Sequence, residues 1–168
     1  KQSPPILVAL GSTTDKTIEA AIESKLLDGV YVSTEDNEIN TYCKGQGVKV
    51  LKRPYDLALD YSTTINTLSY HFSNDFNSNI SICTLQPTSP IRLPGTIDKC
   101  LKEYSQNMPL ILATGFQCKI KAFGSNNNLP RQKIDGFFYD DGNIYIHSPE
   151  ALKKKIWSST KAYKFYTK

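Results

Sequence analysis

The side chains best suited to binding chemistry follow short apolar runs of the sequence rather than lying inside them. Arg53 follows one such run, and residues 86–92, Gln-Pro-Thr-Ser-Pro-Ile-Arg, follow another. The prolines that flank Thr88 and Ser89 stiffen the backbone, so the Gln86 amide and the two hydroxyls can hold fixed directions. Together with guanidinium groups, which pair with anions, they predict a site for a polar, negatively charged ligand. The alternative is a proline-rich turn whose hydroxyls bond within the protein.

The elements that must position these residues alternate between apolar runs with the length of strands and amphipathic segments with the period of helices. Strands are predicted at 6–10, 30–32, 48–51, 80–85 and 110–114. Helices are predicted at 37–46, 94–104 and 149–156. A further helix is predicted from a cap at Thr14 or Asp15 to Leu26, with Gly29 as its terminator. Another is predicted from a cap at Asp60 or Ser62 through Phe72. Because each helix must return the chain to the same edge, we expect parallel strands. In such a sheet, ligands bind beyond the carboxyl ends of the strands, where residues 33–36, 52–54 and 86–92 lie.

The predicted fold is therefore α/β, with three layers around a mainly parallel sheet, in a single domain of all 168 residues. From about 115 to 147 the sequence becomes irregular and aromatic-rich, which predicts a small β excursion. Within it, Asp141 and Gly142 form a turn signal between two β-prone runs and predict a hairpin at 137–146. Asp140 and Asp141 are assigned to that turn rather than to a metal site.

Composition and charge narrow the classes of partner. The 168 residues are 39% hydrophobic and 21% charged, with a formal net charge of +4, which is ordinary for a globular protein. The one dense basic run, at 153–155, is too short to predict a nucleic-acid surface, and no apolar stretch has the length of a membrane span. The four cysteines form no CxxC pair and are expected to be buried thiols in a reducing cytoplasm. His71 and His147 are expected to be structural.

Three tracts, in this order and spacing, resemble the acylneuraminate cytidylyltransferase (CMP-sialic acid synthetase) family. They are Val-Ser-Thr-Glu-Asp-Asn-Glu-Ile at 32–39, Arg-Pro-Tyr-Asp-Leu-Ala-Leu-Asp at 53–60, and Leu-Gln-Pro-Thr-Ser-Pro-Ile-Arg at 85–92. The helical residues 17–28 also fit, as does the pair Arg131 and Gln132 followed by Asn-Ile-Tyr-Ile at 143–146. Each tract alone is a weak signal, but their order makes the resemblance specific from about residue 6 to residue 152.

The resemblance implies a nucleotide-diphosphosugar transferase (Rossmann-like) fold and an enzyme, an N-acylneuraminate cytidylyltransferase. Such an enzyme converts CTP and a nonulosonic (sialic-acid-like) sugar to the CMP-sugar and pyrophosphate, with Mg²⁺ as cofactor. The expected partners are thus CTP and an acidic sugar, without nucleic acid or membrane. The resemblance also implies a homodimer, for which the aromatic region 137–146 is the candidate interface. Sister enzymes that act on pseudaminic acid, legionaminic acid or a ketodeoxy-octonate are alternatives.

The resemblance also assigns roles to the residues that match the family's motifs. Those implied on the nucleotide side, against the cytidine and its phosphates or at their boundary with the sugar, are Arg53, Ser62, Gln86, Thr88 and Ser89. Those implied on the acceptor-sugar side are Gln86, Arg131, Gln132 and Tyr145. A nonulosonic acid carries a carboxylate beside its anomeric hydroxyl, and a guanidinium can bind that carboxylate through two hydrogen bonds. No residue is assigned as catalytic or as a metal ligand.

The sequence departs from the family's pattern in two places. The family has a long loop rich in Gly, Ser, Lys and Arg between its first strand and first helix, whereas residues 11–16 are few and carry one cation, Lys16. The acidic segment that the family carries after the helix near Lys153, thought to hold magnesium, does not occur before residue 168. One explanation is an inactive or scaffolding nucleotide-binding homologue that lacks the triphosphate loop. The other is that loop residues are omitted between Ala9 and Thr17, which predicts a break in the backbone there.

Overall fold

The structure is a computed structural model that describes residues 3–10, 15–76, 79–120 and 129–167, without the side chains of residues 3–10 and of Arg131. The break predicted between Ala9 and Thr17 falls on residues 11–14, which lie outside the described residues. No helix in the described ranges is both long enough and apolar enough to cross a bilayer.

A seven-stranded sheet lies at the centre of the described residues. Its strands are β1 Ser3–Leu10, β2 Val30–Thr34, β3 Lys49–Lys52, β4 Ile80–Leu85, β5 Ile111–Cys118, β6 Phe137–His147 and β7 Tyr163–Tyr166. They lie in the order β3-β2-β1-β4-β6-β5-β7. Among these strands β6 alone runs antiparallel to its neighbours, and the other pairs are parallel. The mainly parallel α/β sheet predicted from the sequence is confirmed.

Helices cover both faces of this sheet. They are α1 Asp15–Ile22, α2 Asn37–Gly45, α3 Thr64–Asn74, α4 Thr96–Asn107 and α5 Pro149–Lys153, with 3-10 turns at Tyr55–Leu57 and Arg131–Lys133. Residues of α1, α2 and α4 pack in one core cluster with Cys83 and Leu85 of β4, and residues of α3 and α5 pack in a second cluster with Ile80 and Ile82. Successive residues of a strand point to opposite faces, so the two clusters lie on opposite sides of the sheet. The predicted three-layer architecture is confirmed.

The cysteines lie in the core, as expected from their spacing. All four are free and buried, and Cys43, Cys83 and Cys100 belong to the cluster beneath α1, α2 and α4. Burial raises the pKa of the Cys83 thiol to about 12. Because the thiolate is the reactive form of cysteine, this thiol contributes to packing and not to nucleophilic chemistry.

The first helix is shorter than the sequence pattern predicts. α1 ends at Ile22 and not at Leu26. The residues that follow turn toward the first turn of α4, where the Ser24 hydroxyl and the Lys25 N–H both donate to the carboxylate of Asp98. These bonds to a distant helix take the place of the predicted last turn of α1. The apolar periodicity of residues 15–26 could not predict them, because their partner is distant in the sequence.

Residues 137–146 belong to one continuous strand, so the hairpin predicted there is wrong. β5 and β6 pair on both sides of residues 141–144, which stand opposite the single residue Thr114. We call residues 141–144 the β6 bulge. Gly142 has a φ of +67° and donates its N–H to the Asp140 carboxylate at 2.9 Å. The Asp-Gly chemistry that favours turns therefore forms a bulge here, because pairing with β5 continues beyond it.

The first half of β6 extends past the carboxyl end of β4. β4 pairs with residues 144–147, whereas residues 137–140 pair with residues 115–118 of β5. This two-stranded ribbon is the small β excursion that the sequence predicts. Phe116 and Tyr139 are exposed on it, with ring centroids 5.1 Å apart.

Candidate functional site

A cleft of about 270 Å³ lies beyond the carboxyl ends of β3 and β4, beside the start of α3. The residues that line it are Arg53, Ser62, Thr64, Thr67, Gln86, Pro87 and Thr88. We call it the strand-end cleft. Four of the five residues predicted to contact a nucleotide, Arg53, Ser62, Gln86 and Thr88, are therefore brought together. Thr64 and Thr67 were not predicted as site residues, although both lie within the helix predicted from the sequence.

Arg53 lies at the edge of the strand-end cleft in an ion pair with Glu35. Its Nε donates to the Glu35 carboxylate at 2.8 Å and its Nη2 donates to the same oxygen, with the Arg53 side chain 14% exposed. The ion pair follows from the sheet register. Thr34 at the end of β2 pairs with Lys52 at the end of β3, so Glu35 and Arg53, which follow them, are neighbours. The described contacts occupy Nε and Nη2, so Nη1 remains for a ligand. Glu35 thus holds the guanidinium in one orientation and offsets part of its charge.

Ser62 contributes a hydroxyl that the described residues do not satisfy. Its Oγ is buried and has no hydrogen-bond partner among them, although the residue lines the cleft. It does not cap α3 as predicted, because that helix has Thr63 as its N-cap. A buried polar atom without a partner carries a free-energy cost that a bound ligand can remove. The position of Ser62 is therefore suited to contact a ligand.

The loop after β4 faces two directions. Gln86 and Thr88 line the strand-end cleft. Ser89 instead donates its hydroxyl to the carbonyl oxygen of Asp141 in the β6 bulge at 3.0 Å, and its N–H bonds to the carbonyl oxygen of Gln86 at 3.2 Å. Ser89 does not line the cleft, and its contact with a nucleotide stays a prediction.

Tyr145, predicted on the sugar side, is buried behind the β6 bulge. The side chain is 5% exposed and its hydroxyl donates to Asp140 at 2.6 Å, while its ring packs 4.6 Å from that of Trp157. Burial, with a smaller contribution from Asp140, raises the pKa of Tyr145 above its ordinary value, so the phenol is neutral. In this structure the hydroxyl fixes the carboxylate of Asp140. A direct contact between Tyr145 and a sugar stays a prediction.

The remaining sugar-side residues lie on the segment that precedes β6. Arg131 and Gln132 form part of a 3-10 turn, Arg131–Lys133. Gln132 is exposed and does not line the strand-end cleft, and the side chain of Arg131 lies outside the described residues. Their predicted contacts with an acidic sugar are not tested.

Arg92 is a further cation of the site region, predicted from its strand-end position as one of the guanidinium groups there but assigned to neither substrate. Its guanidinium donates to Thr17 Oγ1 at 3.1 Å, to the carbonyl oxygen of Gln86 at 3.0 Å and to that of Asn143 at 3.2 Å. Burial lowers the pKa of Arg92 from its ordinary value. The side chain thereby joins α1, the loop after β4 and the β6 bulge. The sequence predicts this arginine at the strand ends, but not its contacts with the backbone of the β6 bulge, which depend on the pairing of β6 with β4.

The two histidines are enclosed by other residues. His71 lies between Ser33 Oγ and the carboxylate of Asp75, at 2.7 Å from each, and neither His71 nor Ser33 has exposed surface. His147 Nε2 lies 3.0 Å from the carbonyl oxygen of Trp157. Burial lowers the pKa of His147 to about 4. Although the first set has the residue types of a catalytic triad, a substrate has no access to its serine.

The described residues show no preformed cluster of metal ligands, and the magnesium ion that the resemblance implies stays a prediction. None of their His, Cys, Asp and Glu side chains form a group of three that could hold a metal. Near the cleft, the Glu35 carboxylate is engaged by Arg53, and that of Asp141 accepts from Thr114 at 2.6 Å and Thr167 at 2.9 Å. Mg²⁺ prefers several oxygen ligands in octahedral geometry, which these engaged carboxylates do not provide.

The chain matches a known protein family over most of its length. A sequence model of the cytidylyltransferase family matches residues 14–155. The chain belongs to the cytidylyltransferase family. The resemblance stated from the three sequence tracts is thus confirmed, and both the cleft and the β6 bulge fall within the matched residues.

Relatives in this family include N-acylneuraminate cytidylyltransferases. The enzyme of that name from Streptococcus agalactiae serotype V is 27% identical over 169 residues, which cover 89% of this chain and 40% of the relative. N-acylneuraminate cytidylyltransferase A from Danio rerio is 31% identical over 155 residues, which cover 83% of this chain and 36% of the relative. The chain therefore spans about two fifths of the length of these cytidylyltransferases.

The fold matches a solved cytidylyltransferase structure as well. CMP:2-keto-3-deoxy-manno-octonic acid synthetase, complexed with CTP, superposes with a TM-score of 0.74 over 98% of this chain and 90% of that one, at 11% sequence identity. At this identity the likeness shows the fold alone. The predicted nucleotide-diphosphosugar transferase fold is confirmed.

Proposed function

We propose that this protein is a cytidylyltransferase that joins CTP and a nonulosonic acid to give a CMP-sugar and pyrophosphate. The observation that carries the proposal is the strand-end cleft, in which Arg53, Ser62, Gln86 and Thr88 meet at the carboxyl edge of the sheet. Ligands of open parallel sheets bind at this edge. An inactive homologue is not favoured, since the N-acylneuraminate cytidylyltransferases of Streptococcus agalactiae and Danio rerio match most of this chain.

The nucleotide side of the cleft supplies charge and hydrogen bonds. Arg53, held by Glu35, directs a guanidinium nitrogen at the nucleotide, where it offsets phosphate or carbonyl charge. The partnerless hydroxyl of Ser62 gains a hydrogen bond when the nucleotide binds. Because Glu35 holds Arg53 before binding, this side chain loses little ordering entropy when the complex forms.

The reaction is a nucleotidyl transfer. The anomeric hydroxyl oxygen of the sugar attacks the α-phosphorus of CTP in line, the new O–P bond forms, and the bond to the β-phosphate oxygen breaks as pyrophosphate leaves. The hydroxyl proton leaves the attacking oxygen to solvent or a base as the new bond forms, and no side chain is assigned as that base. In such a transfer the protein contributes mainly positioning and electrostatic stabilisation. Dependence on Mg²⁺ remains an expectation from the resemblance.

The sugar side is proposed for Gln86, with Arg131 and Gln132 from the segment before β6. Gln86 stands between the strand-end cleft and the β6 bulge, which is the boundary that the two substrates must share. The carboxylate of a nonulosonic acid calls for a guanidinium, and Arg131 is the residue that matches the family's motif. Pseudaminic acid, legionaminic acid and a ketodeoxy-octonate carry the same carboxylate and are the competing substrates.

The experiment is a pyrophosphate-release assay on the full-length protein with CTP and, in turn, N-acetylneuraminic, pseudaminic, legionaminic and ketodeoxy-octonic acids. We expect one acid to be turned over, and we expect Gln86→Ala to raise the KM for that acid. Gln106→Ala is the matched control, because Gln106 is an exposed glutamine on α4. Absence of CTP turnover with all four acids would remove the proposed function.

We also propose a cytoplasmic homodimer in which the ribbon of β5 and β6 contributes to the interface. Three aromatic side chains on the ribbon, Phe116, Phe137 and Tyr139, are between 43% and 53% exposed. Exposed apolar groups that lie close together favour association. Sedimentation of the full-length protein should show a dimer that Phe137→Ser together with Tyr139→Ser weakens, and an unchanged dimer in that variant would exclude the ribbon.

A further inference from the structure

The β6 bulge brings a glycine into close approach with Gln86. A Cβ atom added to Gly142 would lie 3.3 Å from Gln86 Oε1, 3.3 Å from Ser89 Oγ and 4.0 Å from the hydroxyl of Tyr145. Contacts this short require the neighbour to move. The φ of Gly142 is +67°, in the left-handed region where a side chain is disfavoured. Space and backbone conformation therefore both favour glycine at this position.

The loop after β4 and the β6 bulge are tied together by hydrogen bonds. The Ser89 hydroxyl donates to the carbonyl oxygen of Asp141 at 3.0 Å. Arg92 Nη2 donates to the carbonyl oxygens of Gln86 and Asn143, at 3.0 and 3.2 Å. Asn143 Nδ2 donates back to the carbonyl oxygen of Ile91 at 3.2 Å. The backbone of Gln86 is thus fixed relative to Gly142, and the freedom that remains is that of the Gln86 side chain.

The carboxylates of Asp140 and Asp141 also fix the conformation of the β6 bulge. Asp140 accepts from the Gly142 N–H at 2.9 Å and from the Tyr145 hydroxyl at 2.6 Å. The Asp141 carboxylate accepts from the Asn143 N–H at 3.0 Å as well as from two threonine hydroxyls. A side chain at position 142 therefore cannot be absorbed by a shift of the bulge without breaking these bonds. Of the two atoms at 3.3 Å, Ser89 Oγ is held by its bond to Asp141, so a displacement of a few tenths of an ångström falls mainly on the amide of Gln86.

We propose that Gly142 is a positioning residue for the acceptor sugar. Because it has no side chain, the Gln86 amide can lie against the β6 bulge, and this contact sets the direction of the amide toward the sugar. This inference rests on the proposed function, in which Gln86 contacts the sugar. Gly142 itself touches neither substrate. Its effect is expected to be larger on the sugar than on the nucleotide, because Arg53 and Ser62 have no described contact with the bulge and Gln86 is the one residue that the two sides share.

The test uses the full-length protein with CTP and N-acetylneuraminic acid, or the acid that the substrate panel selects. Gly142→Ala should raise the KM for the acid about 3- to 10-fold, the loss of one hydrogen bond, while the KM for CTP changes less than about twofold. Gly47→Ala is the control for backbone strain, because Gly47 has a φ of +73° and nothing within 4 Å of its added Cβ. It should leave both KM values unchanged.

A double-mutant cycle separates positioning from general disturbance. In a Gln86→Ala background, Gly142→Ala should give no further rise in the KM for the acid, because the amide that it displaces is gone. Gly142→Asn, which tolerates a positive φ better than alanine, replaces Gly142→Ala if the latter fails to fold. Additive effects, or an equal rise of both KM values, would overturn the positioning role while leaving the proposed function intact. Wild-type protein without turnover would overturn both.

Discussion

Replacement of Arg53 by alanine probes the strand-end cleft most directly. Its side chain is 14% exposed, and it is held by Glu35 through Nε at 2.8 Å, so solvent screens its contacts little. A hydrogen bond to a charged group contributes about 1.5–3 kcal/mol. Loss of one such bond to the nucleotide corresponds to roughly 10- to 150-fold weaker CTP binding. The variant also leaves the Glu35 carboxylate unpaired near a polyanion, which adds repulsion to the loss.

The dissociation constant of CTP, measured by calorimetry on the full-length protein at fixed ionic strength, checks this expectation. Arg53→Ala combined with Glu35→Gln should recover part of the affinity, because the uncompensated carboxylate is removed. Lys154→Ala is the matched control, since Lys154, the residue after α5, pairs with Glu150 at 2.7 Å in an exposed ion pair. If Arg53→Ala binds CTP as tightly as the wild type, Arg53 does not contact the nucleotide and our interpretation of the cleft is refuted.

Three further outcomes are expected. Ser62→Ala should leave the melting temperature unchanged or slightly higher, since the Ser62 Oγ is buried without a partner among the described residues. The same variant should weaken CTP binding about 2- to 10-fold in titration. A lowered melting temperature with intact binding would contradict this. His147 has its pKa lowered from 6.5 to about 4 by burial, so the unfolded chain binds the proton more tightly, and stability should fall by up to about 3 kcal/mol as pH drops from about 6.5 to 4. Urea unfolding of His147→Gln should show a flatter pH dependence, and an unchanged slope would count against this origin. Gly115→Ala should destabilise by about 1–3 kcal/mol in thermal melts, because the new methyl would clash with the backbone carbonyl oxygen of Tyr139 and lie 2.6 Å from the Phe138 ring, whereas Gly45→Ala meets nothing within 4 Å. Equal melting temperatures of the two variants would argue against the packing explanation.

Much of the candidate site could be predicted because its residues are local to strand ends. The sequence predicts β3 and β4 as strands, and the rule that ligands bind beyond their carboxyl ends selects Arg53, Gln86 and Thr88 without any contact information. Even the partner of Arg53 follows from parallel pairing, once Thr34 is aligned with Lys52. Once the order of the strands in the sheet is known, it follows that these residues lie near one another.

The features that escaped prediction depend on pairing between distant segments. Asp141 and Gly142 have the same local chemistry in a hairpin turn and in a bulge, and pairing with β5 on both sides decides between the two. β7 is four residues long and carries no turn or periodicity signal strong enough to predict a strand, yet its pairing with β5 places it at the sheet edge. The end of α1 depends likewise on Asp98, more than 70 residues away in the sequence.

The insertion of β6 between β4 and β5 has a consequence for how the chain is made. Ile82 pairs with His147, so one edge of β4 stays open during synthesis until more than 60 further residues have left the ribosome. β5 is synthesised before β6, so the edge of β5 that pairs with β6 is also unpaired during this time. Open strand edges favour association with other chains, so the nascent polypeptide is most vulnerable to aggregation in this interval. Arrival of one reversed strand then closes two edges at once.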